Sequence, residues 1–273
     1  TLHKMADEAQ FLSVYKIFKN TFQNAEFTFF ARNSSEVFRD HPDVTVIPTF
    51  RIHQVLENLA VCRVFIIIGG PFFEEFKQAS ICTFLILSAS ALNCPIITYG
   101  TTAFPYQTGW GKQLFSQLFQ KIQAINMRDK TGFQAVQDLG IRKNLALVAD
   151  PRMVLTPSPR LRVESLLKSE GIAIDSPYTV IMLRHMKTQL PRWVRRSHAY
   201  READADRALC ALSQAINYLQ PFSQLVYLPS SSNRSEDQAV FESLRPYLHV
   251  PDALKMLSNY HCLDGMGIIQ SAD

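Results

Sequence analysis

Short runs of β-branched and aromatic residues alternate with segments of helical length along most of this chain, and the alternation limits the folds open to it. The strand candidates are "EFTFFAR" (26–32), "VTVIP" (44–48), "VFIIIGG" (64–70), "PIITYG" (95–100), "AINMRD" (124–129) and "ALVADP" (146–151). "EAQFLSVYKIFKN" precedes the first of them, and "RIHQVLENLAV", "CTFLILSASALN", "GWGKQLFSQLFQKI" and "TGFQAVQDLGI" fall between or after later ones. In "GKQLFSQLFQKI" the apolar Leu114, Phe115, Leu118, Phe119 and Ile122 recur at helical spacing. Strands this hydrophobic, separated by helices, predict a parallel sheet covered on both faces. Residues 1–155 are therefore expected to form an N-terminal doubly wound α/β domain.

Two prolines and two serines interrupt the pattern in "TPSPRLRVES", so residues 156–176 read as a linker. The alternation restarts with "YTVIMLR" (178–184), a helix in "READADRALCALSQAINYLQ", a strand in "QLVYLPSSS" and a helix in "SEDQAVFESLRPYL". Residues 177–273 are expected to form a second, C-terminal α/β domain, with a third strand in "HCLDG". Such a sheet ordinarily carries more strands, and the first domain opens on a helix with no strand before it. The expectation is two Rossmann-like domains, the second truncated, in a chain incomplete at both ends.

Hydrophobic residues make up 47% and charged residues 19% of the 273, a balance that excludes a disordered chain. The net charge of +4 and a pI near 8.8 suit an anionic small molecule or a membrane surface as well as nucleic acid. The basic residues of "KTQLPRWVRRSHAYR" (187–201) sit in one stretch without a nucleic-acid reading motif, so nucleic acid is set aside as a partner. That stretch reads as a solvated loop or as a flap attracting an acidic acceptor. The five cysteines form no CxxC pair, which argues for a reducing compartment and against a structural zinc site. "TLHKMADEAQ" lacks the apolar core of a signal peptide, and the longest apolar runs are too short to span a bilayer. A cytoplasmic protein is expected, with peripheral contact at the inner face of the membrane open to it.

The order of these landmarks resembles the polysaccharide pyruvyl transferase family. "MADEAQFLSVYKIF" looks like that family's "GDEA" turn, keeping Asp7, Glu8 and Ala9 with Ala6 in place of glycine. Gly69, Gly70, Pro71 and Glu74 or Glu75 resemble its "GGG" strand end and following acid, and "PIITYGTTAFP" its "GQGIGP" segment with both interior glycines replaced. "MRDKTGFQAVQDLGI" is similar to its "RDxxSxxxLxxLG", "ALVADPRMVL" to its "DPAFLL", "VIMLRHM" to its "VSLRP" and "YLPSSSNRSEDQAV" to its "IPM…EDxxV". The resemblance implies a GT-B-like pair of domains and transfer of an enolpyruvyl group from phosphoenolpyruvate to a sugar of a cell-surface polysaccharide or its lipid-linked precursor. It implies no metal and no organic cofactor. The family's "RLH" motif follows a segment like "IIQSAD", and this sequence ends at Asp273.

Site residues follow from strand ends, because ligands of doubly wound sheets bind beyond the carboxyl ends of the strands. Gly69 and Gly70 let a ligand approach bare backbone there. Glu74 and Glu75 either complement a helix dipole or, for Glu74, contact the acceptor sugar. Asp7 either caps a helix or binds and deprotonates a sugar hydroxyl. Arg128 beside Asp129, and Arg152 beside Asp150, are turn-holding pairs or phosphate forks. Arg184 ends "TVIMLR" and matches the arginine of the family's "SLR" strand, which implies a hold on the donor's phosphate or carboxylate. His185 follows it, and Ser230 and Ser231 open a strand-to-helix turn able to bind an anion or to cap the helix. Two alternatives stand beside a pyruvyl transferase: a nucleotide-sugar glycosyltransferase of GT-B architecture, and a non-catalytic relative that binds a glycan or a partner. The oligomeric state is not legible.

Overall fold

A computed structural model of the chain describes residues 5–31, 38, 40–69, 79–183, 202–229, 234–258 and 260–272. Residues 7–155 form one compact unit and residues 156–273 a second. The first contains α1 (Met5–Thr21), β1 (Phe27–Ala31), β2 (Val44–Pro48), α2 (Ile52–Val61), β3 (Phe65–Ile68), α3 (Ala79–Ala91), β4 (Ile96–Thr101), α4 (Gly109–Phe119), β5 (Ala124–Met127), α5 (Lys130–Asp138) and β6 (Leu145–Leu147). A 3-10 turn at Pro151–Val154 closes it. Strand pairing is parallel throughout, with β1 beside β2 and a second sheet in the order β3-β4-β5-β6.

Side-chain alternation sorts the helices onto two faces. Phe27, Phe29 and Ala31 turn one way and pack with Phe11 and Tyr15 of α1, while Phe30 between them joins the opposite core. The Phe11 and Phe29 rings stand 5.1 Å apart and those of Tyr15 and Phe27 5.4 Å apart. Farther along α1, Phe18 meets Tyr99 of β4 edge-on at 5.5 Å. The opposite core joins Val55, Leu59, Ile86, Phe115, Leu118 and Val136 from α2 to α5 with Ile67, Ile96 and Ile125 from the strands. Leu59, Phe115 and Leu118 are essentially inaccessible to solvent, and burial of each contributes about 1.5–3 kcal/mol. Helices therefore cover both faces, as the continuous apolar strands require.

The second unit contains α6 (Arg160–Ser169), β7 (Tyr178–Ile181), α7 (Glu202–Leu219), β8 (Gln224–Tyr227), α8 (Arg234–Leu244), β9 (Leu254–Met256) and α9 (Cys262–Gln270). Its sheet is parallel in the order β7-β8-β9. The middle strand is buried on both sides. Val226 packs with Val163 and Leu167 of α6 and Ile268 of α9, and Leu225 and Tyr227 pack with Ile216 of α7 and Phe241 and Leu244 of α8. The α/β class and the parallel pairing read from the sequence are met in both units. Two readings differ. Residues 156–176 were expected as a linker, yet Arg160–Ser169 form α6, whose Val163 and Leu167 are buried in the second unit's core. "HCLDG" was expected as the third strand, yet Cys262–Gly265 open α9 and the third strand is Leu254–Met256. Asp264 explains the helix, because its carboxylate accepts the His261 backbone N–H at 3.1 Å and fixes the first turn.

Among the described residues no helix is long and apolar enough to cross a membrane. All five cysteines are free thiols.

Asp264 also ties the two ends of the second unit together. It is 1% exposed and accepts from Ser158 Oγ at 2.7 Å, Arg162 Nε at 3.0 Å and Arg162 Nη2 at 3.1 Å. Burial alone would raise its carboxyl, but the hydrogen bonds from Arg162 and Ser158 outweigh that and hold it below the usual carboxylate range. A depressed folded-state value gives stability that is complete above the ordinary carboxylate range and is lost as pH falls through the folded value. Asp264→Ala should cost about 2–3 kcal/mol in denaturant unfolding near neutral pH, less than a fully buried pair because Arg162 keeps contact with water. The gap between variant and wild type should narrow as the pH is lowered below the ordinary carboxylate range. A gap that is unchanged or wider in acid would contradict the assignment.

Candidate functional site

Parallel strands deliver their carboxyl ends to one edge of the first unit's sheet, and a set of polar groups gathers there. β3 runs into Gly69, whose φ of +97° is a left-handed conformation open to glycine. β4 passes through Gly100, with φ of +62°. A β-carbon at Gly100 would overlap the Pro151 ring and stand 3.0 Å from Gln10 Nε2. β5 ends at Met127, and the Arg128 N–H continues the ladder to the Thr101 carbonyl at 2.9 Å. Asp129 then caps α5, its Oδ1 accepting the Gly132 N–H at 2.7 Å. Past β6, Asp150 caps the 3-10 turn by accepting the Arg152 N–H at 3.0 Å.

The charges at this rim are paired unequally. Arg152 holds Asp150 as a fork, Nε to Oδ1 at 2.9 Å and Nη2 to Oδ2 at 2.5 Å. Burial would raise the Asp150 carboxyl, but the Arg152 hydrogen bonds and the Arg128 charge hold it below the usual carboxylate range. Arg152 is pushed up, first by its hydrogen bond to Asp150 and further by the Asp150 and Asp7 charges. Arg128 is more loosely held. Its side chain is 19% exposed, with Asp150 Oδ2 3.7 Å from Nη1 and Asp129 Oδ2 4.0 Å from Nε. Its hydrogen bond runs from Nη1 to Gln10 Oε1 at 3.3 Å. Gln10 is 2% exposed, and its Nε2 has no acceptor among the described residues.

Of the residues singled out from the sequence, Asp7, Gly69 and Arg128 belong to this first unit. Asp7 lies in the first turn of α1, as a dipole partner would. Gly69 and Arg128 both neighbour Gln10. Gly70, Glu74, Arg184, His185, Ser230 and Ser231 lie outside the described residues. Sequence reasoning passed over Gln10 and Gly100. Gln10 had a faint signal: it is the polar residue between Ala9 and Phe11, both of which are buried, and it stands one helical turn after Asp7. No group of three His, Cys, Asp or Glu side chains among the described residues is placed to hold a metal ion.

A family model described as polysaccharide pyruvyl transferase matches residues 7–262 of the chain. Among solved structures, the chain resembles the crystal structure of Anabaena HepE in complex with UDP, at a TM-score of 0.57 and 9% sequence identity. The likeness covers 96% of this chain and 68% of that one, and at this identity it speaks for the fold. No curated protein matches the chain at a significant level.

Gly100 gives the site a direct test. Gly100→Ala adds a methyl group where the backbone is left-handed and Pro151 fills the space. Thermal or denaturant unfolding should show a loss of about 2–4 kcal/mol, combining left-handed strain with overpacking. A variant as stable as wild type would mean that Pro151 does not close over β4.

Proposed function

The chain belongs to the polysaccharide pyruvyl transferase family, a family of glycan-modifying transferases, and from that premise we propose that it moves the enolpyruvyl group of phosphoenolpyruvate onto a sugar of a cell-surface polysaccharide or its lipid-linked precursor. The observation that carries this reading is the family match over residues 7–262, nearly the whole chain. In the proposed chemistry the donor's methylene carbon takes a proton, and the cation left at the neighbouring carbon is captured by a sugar hydroxyl, which loses its own proton. Phosphate leaves later, when a second hydroxyl closes the pyruvate ketal.

The residue roles are proposals of the same kind. Asp7 and Glu74 serve the acceptor side, where a carboxylate within hydrogen-bond reach can take the hydroxyl proton. Arg184, with its fixed fork of donors, holds the donor's phosphate or carboxylate, and His185, Ser230 and Ser231 serve the same donor. No metal or organic cofactor enters the scheme. We place the reaction in the cytoplasm, at the inner face of the membrane when the acceptor is lipid-linked. The solved UDP complex of a protein with a similar fold favours one second reading, transfer from a nucleotide sugar.

Incubation with phosphoenolpyruvate and a panel of glycan acceptors separates the two. Release of inorganic phosphate with gain of a pyruvyl mass on the glycan is the expected result. Arg184→Lys should weaken phosphoenolpyruvate binding by about 1.5–3 kcal/mol, the range for a hydrogen bond to a charged group. Consumption of a nucleotide sugar in place of phosphoenolpyruvate would transfer the assignment to the second reading, and equal donor affinity in both forms would remove Arg184 from the site.

A further inference from the structure

Each parallel strand is entered from the amino edge of its sheet, and in the first unit the connections that meet at that edge are basic. Residues 61–64 lead from α2 into β3, 92–95 from α3 into β4, 120–123 from α4 into β5 and 139–144 from α5 into β6. Their charged residues are Arg63, Lys121, Arg142 and Lys143, with no carboxylate among them. All four are exposed, and none is in an ion pair with another described residue. Hydrogen bonds lace neighbouring connections together. The Phe65 N–H donates to the Pro95 carbonyl at 2.7 Å, the Gln123 N–H to that of Ile96 at 2.8 Å and the Ile125 N–H to that of Asn144 at 2.8 Å. Gln123 Oε1 in turn accepts the Ile96 N–H at 2.6 Å. With strands about 4.8 Å apart, the four charges share an edge about 15 Å wide. Carboxylates are fewer here. Glu57 stands one turn before the end of α2, and Asp138, at the end of α5, accepts from Gln134 Nε2 at 2.8 Å. Glu26, Asp40 and Asp43 lie at the amino ends of β1 and β2, with Asp43 paired to Lys19 at 2.8 Å, so the positive stretch is the one from β3 to β6.

Exposed apolar side chains stand among these charges. Val61 is 81% exposed where α2 ends, and Val64 and Leu92 are exposed beside Arg63 and in the next connection. Unpaired cations interleaved with branched apolar side chains suit a surface that offers negative charge above a hydrocarbon interior. We propose that this amino edge docks on an anionic lipid bilayer, with Arg63, Lys121, Arg142 and Lys143 meeting the headgroups while Val61 and Leu92 enter the acyl boundary. Each basic residue near such a surface strengthens binding about fivefold, and two or three small apolar side chains add a second, short-ranged hold. Contact of this kind is reversible and salt-sensitive. The carboxyl edge of the sheet then faces away from the lipid. This deepens the placement of the reaction at the membrane and rests on the proposed function for which leaflet the chain meets.

Sedimentation of the full chain with lipid vesicles tests the surface without any need for turnover. The chain should co-sediment with vesicles of equal parts phosphatidylglycerol and phosphatidylcholine, not with phosphatidylcholine alone, and should be released at about 0.5 M salt. Lys121→Glu combined with Arg142→Glu should weaken binding about tenfold or more, at an unchanged melting temperature, because neither side chain has an ion-pair partner to lose. Lys112→Glu combined with Lys130→Glu makes the same charge change on exposed side chains at the starts of α4 and α5, and should bind as wild type does. Val61→Ser combined with Leu92→Ser leaves the charge alone and should still weaken binding about fivefold, which attraction to any polyanion would not produce. Equal effects of the two charge-reversed pairs would overturn the proposal, as would full binding by the serine variant, tighter binding to DNA than to vesicles, or no vesicle binding. Pyruvyl transfer to a soluble glycan without vesicle binding would remove the surface and keep the transferase reading. Vesicle binding through these residues without any transfer would do the reverse.

Discussion

A parallel pair of strands cannot be joined by a tight turn, so the chain must leave the sheet and return along a helix or long connection before it pairs again. The described strand pairs of both units are parallel, and the rest of the structure depends on this. The returning helices bury the sheet faces, which is why strands such as Gln224–Tyr227 are apolar on consecutive residues rather than alternate ones. The same constraint brings every carboxyl end to one edge. Residues far apart in sequence, Gly69, Gly100, Arg128 and Asp150, come together because each follows or ends a strand that points the same way.

At that edge the packing and the electrostatics constrain each other. Pro151 lies against Gly100, closely enough that a side chain at residue 100 has no room. The adjoining Asp150 turns back to accept the Arg152 N–H and fork, so the turn that seats Pro151 also commits the carboxylate. Arg128, fixed in its backbone by the ladder to Thr101, faces a carboxylate already in use. Its loose hold on Asp150, at 3.7 Å, is thus a consequence of how the neighbouring turn closes.

Much of this was legible in the sequence because it depends on local chemistry. Apolar runs of strand length, helical spacing in Leu114 to Ile122, and Asp129 just before a helix each signal their structure within a few residues, and β1 to β6 fall where those runs do. The third strand of the second unit was misplaced for the same reason. Leu254–Met256 is three residues with a lysine in the middle, too short to show a period, whereas "HCLDG" presented a cysteine and a leucine beside a glycine turn. What decides that case is the hydrogen bond from His261 to Asp264. Gln10 was illegible in another way. Its place depends on Arg128, 118 residues away, and nothing within a helical turn of Gln10 announces that partner.

Two aspartates with lowered carboxyl values show why such a shift does not by itself mark a ligand site. Asp264 receives Ser158, both arms of Arg162 and the His261 N–H, which fills about four acceptor positions on a carboxylate. Its arginine keeps water on its far side, since the Arg162 side chain is 57% exposed, so donors and charge are satisfied together and the group serves the fold alone. Asp150 is filled almost as completely, but by one arginine, while a second stands 3.7 Å away and four-fifths buried. The difference lies in the neighbour left over. A saturated carboxylate beside one solvated cation closes an account of hydrogen bonds, whereas a saturated carboxylate beside a second, largely desolvated guanidinium leaves donors that only another oxygen can meet. Arg128 is that neighbour, at the carboxyl edge of the first unit's sheet, with its side chain 19% exposed and its hydrogen bond to Gln10.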